Sequence, residues 1–173
     1  MVEHKGNVIA FCKALRSISA VKVAEIGTVD SGFIAALVRE TDWTDSMEIH
    51  SALMAVTSAE KTDFDASLTE VGDESGVFFK VTKHEGSEQE SLESLMQHAL
   101  FDGLFITSAP SSESLLASLM GCNECLKSGG VLGLDHDVWS DKNLEPAISA
   151  FKDMYMTSFK ILGSDDEQWF EKL

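Results

Sequence analysis

The chain contains 173 residues, of which 13 are Lys or Arg and 29 are Asp or Glu, so its formal net charge is −16. This acidity argues against nucleic-acid and membrane partners, because nucleic acids and anionic lipid surfaces are bound through clustered Lys and Arg. With 44% hydrophobic residues the chain can form a real core, and its length fits one domain over residues 1–173. A small metabolite is still allowed as a partner.

The first residues and the cysteines predict a cytoplasmic protein. Charged residues interrupt every short apolar run at the start of the chain, which lacks the pattern of a secretion signal. The three cysteines, an odd number, are typical of reduced thiols. Cys122 and Cys125 form a C-x-x-C inside a predicted helix, which favours a core position for Cys122. A metal site is the alternative, and it would need two further ligands.

Apolar spacing and turn residues predict the elements in chain order. These are helix 7–18, strand 21–27, helix 32–39, strand 46–51, helix 63–71, strand 76–81, helix 87–100, strand 101–108, helix 112–127, strand 131–137, helix 145–159 and two closing strands, 159–164 and 167–173. Strands that alternate with helices predict an α/β protein of three layers. We expect a Rossmann-like doubly wound sheet of about seven strands, mainly parallel, with an antiparallel C-terminal strand.

Some local signals refine these elements. Ser87 and Glu90 match a capping box at the start of their helix. The glycines within 128–130 are expected to end the cysteine-bearing helix. Strand 76–81 (GVFFKV) is the clearest strand by composition. Four phenylalanines are assigned to the core: Phe78, Phe79, Phe101 and Phe105.

The expected ligand site follows the first strand. In an open doubly wound sheet the ligand lies beyond the carboxyl ends of the strands, where the strand order reverses. The segment E-I-G-T-V-D-S-G (25–32) is there, with Gly27 turning the backbone and Gly32 letting the next helix pack closely. It is not a G-x-G-x-x-G, and Asp30 would repel a phosphate. A cationic or uncharged ligand is therefore favoured.

Two segments carry a resemblance to a known family. VAEIGTVDSGFIAAL resembles the first motif of class I S-adenosylmethionine-dependent methyltransferases. It is most similar to the small, methyltransferase type 24-like subgroup with the motif E-I-G-x-x-x-G-G, although Ser31 replaces one glycine. FDGLFITSAP, LKSGGVL and the later H-D are similar to that family's F-D-L-I-F-I-D-A-D-H, L-K-P-G-G-V-L and H-D. The resemblance implies S-adenosylmethionine as cofactor and a small-molecule methyl acceptor.

The resemblance also implies cofactor-binding residues. Glu25, Gly27, Thr28 and Gly32 would line the methionine end of the cofactor, with Ser108 beside them after the fourth strand. Residues 84–87, after the predicted third strand, would lie near the adenine.

A carboxylate at the end of the second strand would bind the ribose hydroxyls. The candidates by position are Glu48 and His50, and Glu48 follows Gly27 by 48 − 27 = 21 residues, near the roughly 20 expected of a ribose-binding acid. The alternative is that Glu48 faces solvent on a half-buried strand.

The chain departs from the family after the fourth strand, where T-S-A-P replaces D-A-D-H. A metal site is not expected there, because hard cations need carboxylate oxygens. The catalytic candidates are instead His136 and Asp137 at the predicted end of the fifth strand. In a strand, Asp135 and Asp137 would face one side and His136 the other, and histidine is the side chain best suited to act as a base near neutrality. An ordinary solvated strand end is the alternative.

Three functions remain open at this point. The leading one is a methyltransferase acting on a small molecule. The second is a catalytically degenerate domain of the same fold that serves as a binding or assembly module, for which a homodimer is expected. The third, a nucleotide-dependent oxidoreductase, is disfavoured by the missing G-x-G-x-x-G. We further expect His98 to face solvent and either Trp43 or Trp139 to cover the adenine or the acceptor.

Overall fold

A computed structural model describes residues 6–27, 32–40, 47–54, 56–164 and 167–173. These residues form seven helices and seven strands. In chain order they are α1 Gly6–Ser17, β1 Lys22–Gly27, α2 Gly32–Glu40, β2 Glu48–Met54, α3 Ser58–Ser75, β3 Val81–Gly86, α4 Glu88–Met96, β4 Phe101–Ile106, α5 Ser112–Cys125, β5 Leu126–Leu134, α6 His136–Ser140, α7 Glu145–Tyr155, β6 Phe159–Ser164 and β7 Glu167–Lys172. No helix among them is both long enough and apolar enough to cross a bilayer.

The strands form one sheet in the order β3-β2-β1-β4-β5-β7-β6. β1 to β5 pair in parallel, and β7 pairs antiparallel with both β5 and β6. The chain builds outward from β1 to β3 and then returns to β4 on the other side of β1, which makes the gap between β1 and β4 the point of reversal. The predicted mainly parallel sheet with an antiparallel C-terminal strand is confirmed.

Apolar side chains cover both faces of this sheet. On one face α1, α2 and α3 pack around an aromatic group in which Phe105 lies 4.7 Å from Phe33 and 5.0 Å from Phe11 between ring centroids. On the other face α4 packs on β2 and β3, and α5 packs on β4 and β5 with α7 beside it. Helices on both faces explain why the central strands are almost continuously apolar.

The third strand lies five residues later than predicted. Helix α3 continues to Ser75 and is capped by Gly76, whose backbone φ is 65° and whose N–H donates to the Gly72 carbonyl at 2.9 Å. The apolar run after it is therefore a connection, and Phe78 is 86% exposed instead of buried in the core. The true strand, Val81–Gly86, is polar because it lies at the edge of the sheet.

The fifth strand differs from the prediction at both ends. It begins at Leu126, directly after α5, so the glycines at 129 and 130 lie inside a strand and do not follow the helix as its terminator. Gly129 has the expected positive φ, 77°, next to an irregularity in the pairing of β4 with β5. The strand ends at Leu134, and Asp135 caps the short helix α6.

One carboxylate joins the starts of three neighbouring strands. The Asp102 Oδ2 accepts hydrogen bonds from the backbone N–H groups of Val21 and Lys22, each at 2.9 Å, and Oδ1 accepts from the Lys127 Nζ at 2.7 Å. Partial burial raises the Asp102 pKa, but the hydrogen bonds from Lys127 and the two backbone groups lower it more, so the net shift is downward. The folded state therefore favours the ionised form.

We expect Asp102→Asn to reduce the free energy of unfolding at pH 7 by about 1–3 kcal/mol, because hydrogen bonds to a charged group are lost. Asp102 has a lower pKa when folded, so it stabilises the protein above its unfolded pKa of about 3.9 and loses this effect as the pH falls through the folded value. The difference between variant and wild type in urea denaturation should thus vanish at strongly acidic pH.

Asp65→Asn is the matched control, because Asp65 forms an exposed surface ion pair with Lys83. Its loss should cost less than about 1 kcal/mol. Equal urea midpoints for the Asp102 and Asp65 variants at pH 7 would refute the special role of Asp102.

Candidate functional site

The carboxyl ends of β1, β4 and β5, three central strands, lie side by side along the edge of the sheet that the strand ends form. The Thr107 N–H donates to the Ile26 carbonyl at 2.9 Å, and the Asp135 N–H donates to the Ile106 carbonyl at 2.8 Å. The residues that follow these three strands therefore lie side by side at the point of reversal. We call this region the switch-point edge, defined by Gly27, Thr107, Ser108 and Asp135.

Gly27 makes the closest approach at the switch-point edge. Its φ is 147°, and a Cβ there would lie 2.3 Å from the Thr107 Oγ1 and 2.9 Å from the Ser108 Oγ. Thr107 is held in place because its hydroxyl donates to the Ile26 carbonyl at 3.3 Å. Only glycine fits this position. After β4, the switch-point edge presents the backbone and the hydroxyl groups of Thr107 and Ser108.

Glu25 lies inside the protein, two residues before Gly27. It is fully buried, and in the sheet it stands next to Ser51 of β2 and Phe105 of β4. Gly32 begins α2, whose first turns pack on the same face. Thr28, Asp30 and Trp43 lie outside the described residues.

The Asp135-His136-Asp137 run is a helix start. Asp135 is the N-cap of α6, and its Oδ1 accepts a hydrogen bond from the Asp137 N–H at 2.9 Å. The strand has already ended, so the predicted alternation of these three side chains across a sheet is wrong. His136 and Asp137 occupy the first turn of α6, and both are exposed beside the switch-point edge.

Trp139 follows on the same short helix. Its indole is half-buried, and the Lys152 Nζ lies 4.6 Å from a ring centroid. Burial lowers the pKa of Lys152. A groove of about 270 Å³ lies between α6 and α7, lined in part by Trp139, Glu145 and Lys152.

Glu48 and His50 do not lie where the prediction put them. They are the first and third residues of β2, which continues to Met54. Glu48 is level with Lys22 at the start of β1, whereas Gly27 is level with Leu53. Five residues of strand, about 16 Å, separate these two levels. The predicted ribose-binding position is therefore wrong, because the strand starts two residues later and ends three residues later than expected.

The predicted adenine segment is divided between two elements. His84 is a buried residue inside β3, and Gly86 ends that strand. Ser87 caps α4: its hydroxyl accepts from the Glu90 N–H at 3.3 Å, and its own N–H donates to the Glu90 carboxylate at 2.8 Å. The predicted capping box is thus confirmed. Of the predicted adenine segment, residues 84–87, only Ser87 follows β3.

A histidine cluster lies at the opposite edge, where the strands begin. His50 Nδ1 is 2.8 Å from His84 Nε2, and His50 Nε2 is 2.6 Å from Glu48 Oε1. His84 Nδ1 is 2.9 Å from the Ser94 hydroxyl of α4. The His98 ring, exposed as predicted, lies 5.0 Å from both other rings. We call Glu48, His50, His84 and His98 the histidine cluster.

Burial controls the charge of this cluster. Desolvation lowers the pKa of His50, although the hydrogen bond to Glu48 opposes the shift. Desolvation and the neighbouring imidazoles lower the pKa of His84 to about 4. Hydrogen bonds from His50 and Lys22 lower the pKa of Glu48. At neutral pH the cluster therefore contains a carboxylate beside two neutral imidazoles.

Sequence reasoning missed this cluster as a unit. The E-x-H spacing at Glu48 and His50 does place both side chains on one face of a strand. His84, however, comes from the neighbouring strand, and His98 follows α4, which ends at Met96 instead of continuing to residue 100. The register of β2 with β3 and the end of α4 together bring these side chains into contact.

The cysteines are part of the core. All three are buried, and the Cys125 thiol donates to the Gly121 carbonyl at 2.8 Å. Burial raises the pKa of Cys122 and raises that of Cys125 to about 11, so both remain thiols. The predicted core position of Cys122 is confirmed.

No protein family model and no curated protein matches the sequence. Solved structures match its fold over almost the whole chain. An O-methyltransferase from Bacillus cereus in complex with SAH has a TM-score of 0.69 at 13% identity, covering 98% of this chain and 84% of that one. A SAH-bound methyltransferase from Podospora anserina has a TM-score of 0.63 at 15% identity, with coverages of 95% and 76%. An O-methyltransferase from Streptomyces achromogenes in complex with SAM has a TM-score of 0.59 at 15% identity, with coverages of 98% and 90%. The chain therefore has the fold of these methyltransferases.

Proposed function

We propose that the chain is an S-adenosylmethionine-dependent methyltransferase that acts on a small molecule. The observation that carries the proposal is the switch-point edge. Gly27, at a φ of 147°, lies where the strand order reverses in a seven-stranded sheet, and the C-terminal strand β7 of that sheet is antiparallel. Ligands of open α/β sheets bind at this position. The likeness in fold to methyltransferases solved with SAM or SAH supports the choice of cofactor.

The charge of the edge suits this cofactor. The segments that follow β4 and β5, residues 107–111 and 135–141, contain three aspartates and no Lys or Arg. A sulfonium cation is attracted by such an edge, whereas a polyphosphate is repelled. This observation also counts against the nucleotide-dependent oxidoreductase.

Each residue has a distinct part in the proposal. Gly27 lets the cofactor approach the backbone, and Ser108 supplies a hydroxyl beside Gly27. Glu25, buried in β1, and Gly32, the first residue of α2, flank the segment that would line the methionine end of the cofactor. SAM carries an already activated methyl group, so the protein contributes mainly orientation and exclusion of water.

On the acceptor side we propose the first turn of α6. His136 would take the proton of the acceptor, and Asp137 would orient the acceptor. Trp139, which lines the groove between α6 and α7, would contact the acceptor. These residues come directly after β5, next to the edge that receives the cofactor.

Isothermal titration calorimetry with SAM and SAH tests the function, with ATP and NADH as control ligands. We expect binding of the first two and none of the controls. A lack of heat and of any thermal shift with SAM and SAH at millimolar concentration would overturn the proposal in favour of a binding or assembly module.

Ser108→Ala is expected to weaken SAM binding about 2- to 10-fold, the effect of losing one hydrogen bond of 0.5–1.5 kcal/mol. Ser17→Ala is the matched control, because Ser17 is exposed at the end of α1 and its hydroxyl donates only within that helix, to the Ala14 carbonyl at 2.7 Å. Equal SAM affinity in both variants would remove Ser108 from the cofactor site.

A further inference from the structure

We propose that the histidine cluster is a binding site for one divalent transition-metal ion of the zinc type, held by Glu48, His50 and His98. One ligand atom from each of these residues lies within 4.8 Å of the other two. The residues come from β2 and from the turn after α4, at the edge of the sheet where the strands begin. The site is thus separate from the switch-point edge.

The chemistry of the three side chains favours zinc. Two imidazole nitrogens and one carboxylate oxygen form the ligand set of zinc sites in which water takes the fourth position. Hard cations such as Mg²⁺ and Ca²⁺ prefer all-oxygen sites and are disfavoured.

The geometry is close to what the ion requires. Tetrahedral ligands about 2.0–2.1 Å from zinc lie roughly 3.3 Å from one another. His50 Nε2 and Glu48 Oε1 are 2.6 Å apart, so the pair must open by less than about 1 Å. Glu48 is 50% exposed and His98 is also exposed, which lets both adjust, while His50 is 1% exposed and fixed.

The buried part of the cluster positions the metal ligand. When zinc occupies the Nε2 of His50, the ring proton lies on Nδ1 and donates to the Nε2 of His84, and His84 in turn donates from Nδ1 to the Ser94 hydroxyl. Without the ion, His50 donates from Nε2 to Glu48, and the two other hydrogen bonds run in the reverse direction. The proton count of the imidazoles is the same in both states. Metal-ligating histidines usually have such a partner on the second ring nitrogen.

The surrounding charges contribute in both directions. Helix α4 ends two residues before His98 and has no basic residue in its last turn, so the negative end of its dipole is open to a cation. Lys22 opposes binding, because its Nζ lies 3.0 Å from the Glu48 Oε1, although the carboxylate offers a second oxygen. The bound ion would join β2 to the turn between α4 and β4 and thereby stabilise the fold.

Titration of chelator-treated protein with Co²⁺, followed by visible absorption and by competition with Zn²⁺, tests the proposal. The wild type should bind one equivalent and show the ligand-field bands of a four-coordinate site. His98→Ala and Glu48→Gln should each weaken binding at least tenfold. Both residues are exposed, so these variants should fold, which circular dichroism checks.

His136→Ala is the control, because it removes another exposed imidazole at the opposite edge. Its Co²⁺ affinity should equal that of the wild type, and Zn²⁺ should raise the unfolding temperature of both proteins but not of His98→Ala. Absence of Co²⁺ binding by the wild type, or equal affinity in all variants, would overturn the site. Neither outcome bears on SAM binding, which is measured separately.

Discussion

Gly27→Ala is expected to lower the free energy of unfolding by about 2–5 kcal/mol, the combined effect of a strained backbone and an overpacked contact. The added Cβ would meet the Thr107 Oγ1 at 2.3 Å and the Ser108 backbone nitrogen at 2.8 Å. The second contact involves the main chain, which cannot move away as a flexible side chain can. Urea denaturation monitored by circular dichroism measures the loss.

Gly129→Ala separates the two causes in this prediction. Gly129 also has a positive φ, 77°, but a Cβ there would find no atom within 4 Å. Its replacement should therefore cost only the backbone term, about 1–2 kcal/mol. If the two alanine variants lose equal stability, the close approach of β1 to the end of β4 does not matter energetically, and the geometric argument for the switch-point edge fails.

Phe105→Ala is the second change with a large expected effect, about 3–5 kcal/mol, because it opens a cavity in the core. Phe105 is 1% exposed, and its ring stacks on Phe33 at 4.7 Å and packs against Phe11 at 5.0 Å. The loss would loosen the contacts of α1 and α2 with the sheet. Thermal and urea unfolding should both show it.

Phe78→Ala provides the comparison within the same residue type. Phe78 is 86% exposed on the connection after α3, so its removal should change stability by less than about 0.5 kcal/mol. A cost close to that of Phe105→Ala would mean that Phe78 lies in the core after all, and that strand 76–81 exists as composition suggested.

The general architecture could be predicted because apolar pattern and turn residues agree in the central part of the sheet. The first and fourth strands, with Phe101 and Phe105 buried, were recognisable from alternating helices and short apolar runs. The closing pair of strands was equally clear. Composition predicted a wrong strand where burial depends on tertiary packing. GVFFKV has strong strand propensity, yet α3 extends to Ser75 and the edge strand after it is polar.

The functional positions were only partly predictable. The role of Gly27 follows from its place at the end of the first strand, because a ligand at the point of strand reversal must come close to the backbone there. The place of Glu48 along its strand did not follow, since an error of a few residues in a boundary moves a side chain from one end of the sheet to the other. The histidine cluster depends on pairing between strands, which periodicity does not encode.

The sheet order has a consequence for the sequence of events in folding. β7 lies between β5 and β6, so the strand that comes later in the chain separates two that come earlier. During synthesis β6 emerges first but has no place in the sheet until β7 has paired with β5. Until then β5 presents an unpaired edge, the kind of surface that promotes association between incomplete chains. Pairing of β7 with β5 therefore both covers this edge and creates the place for β6.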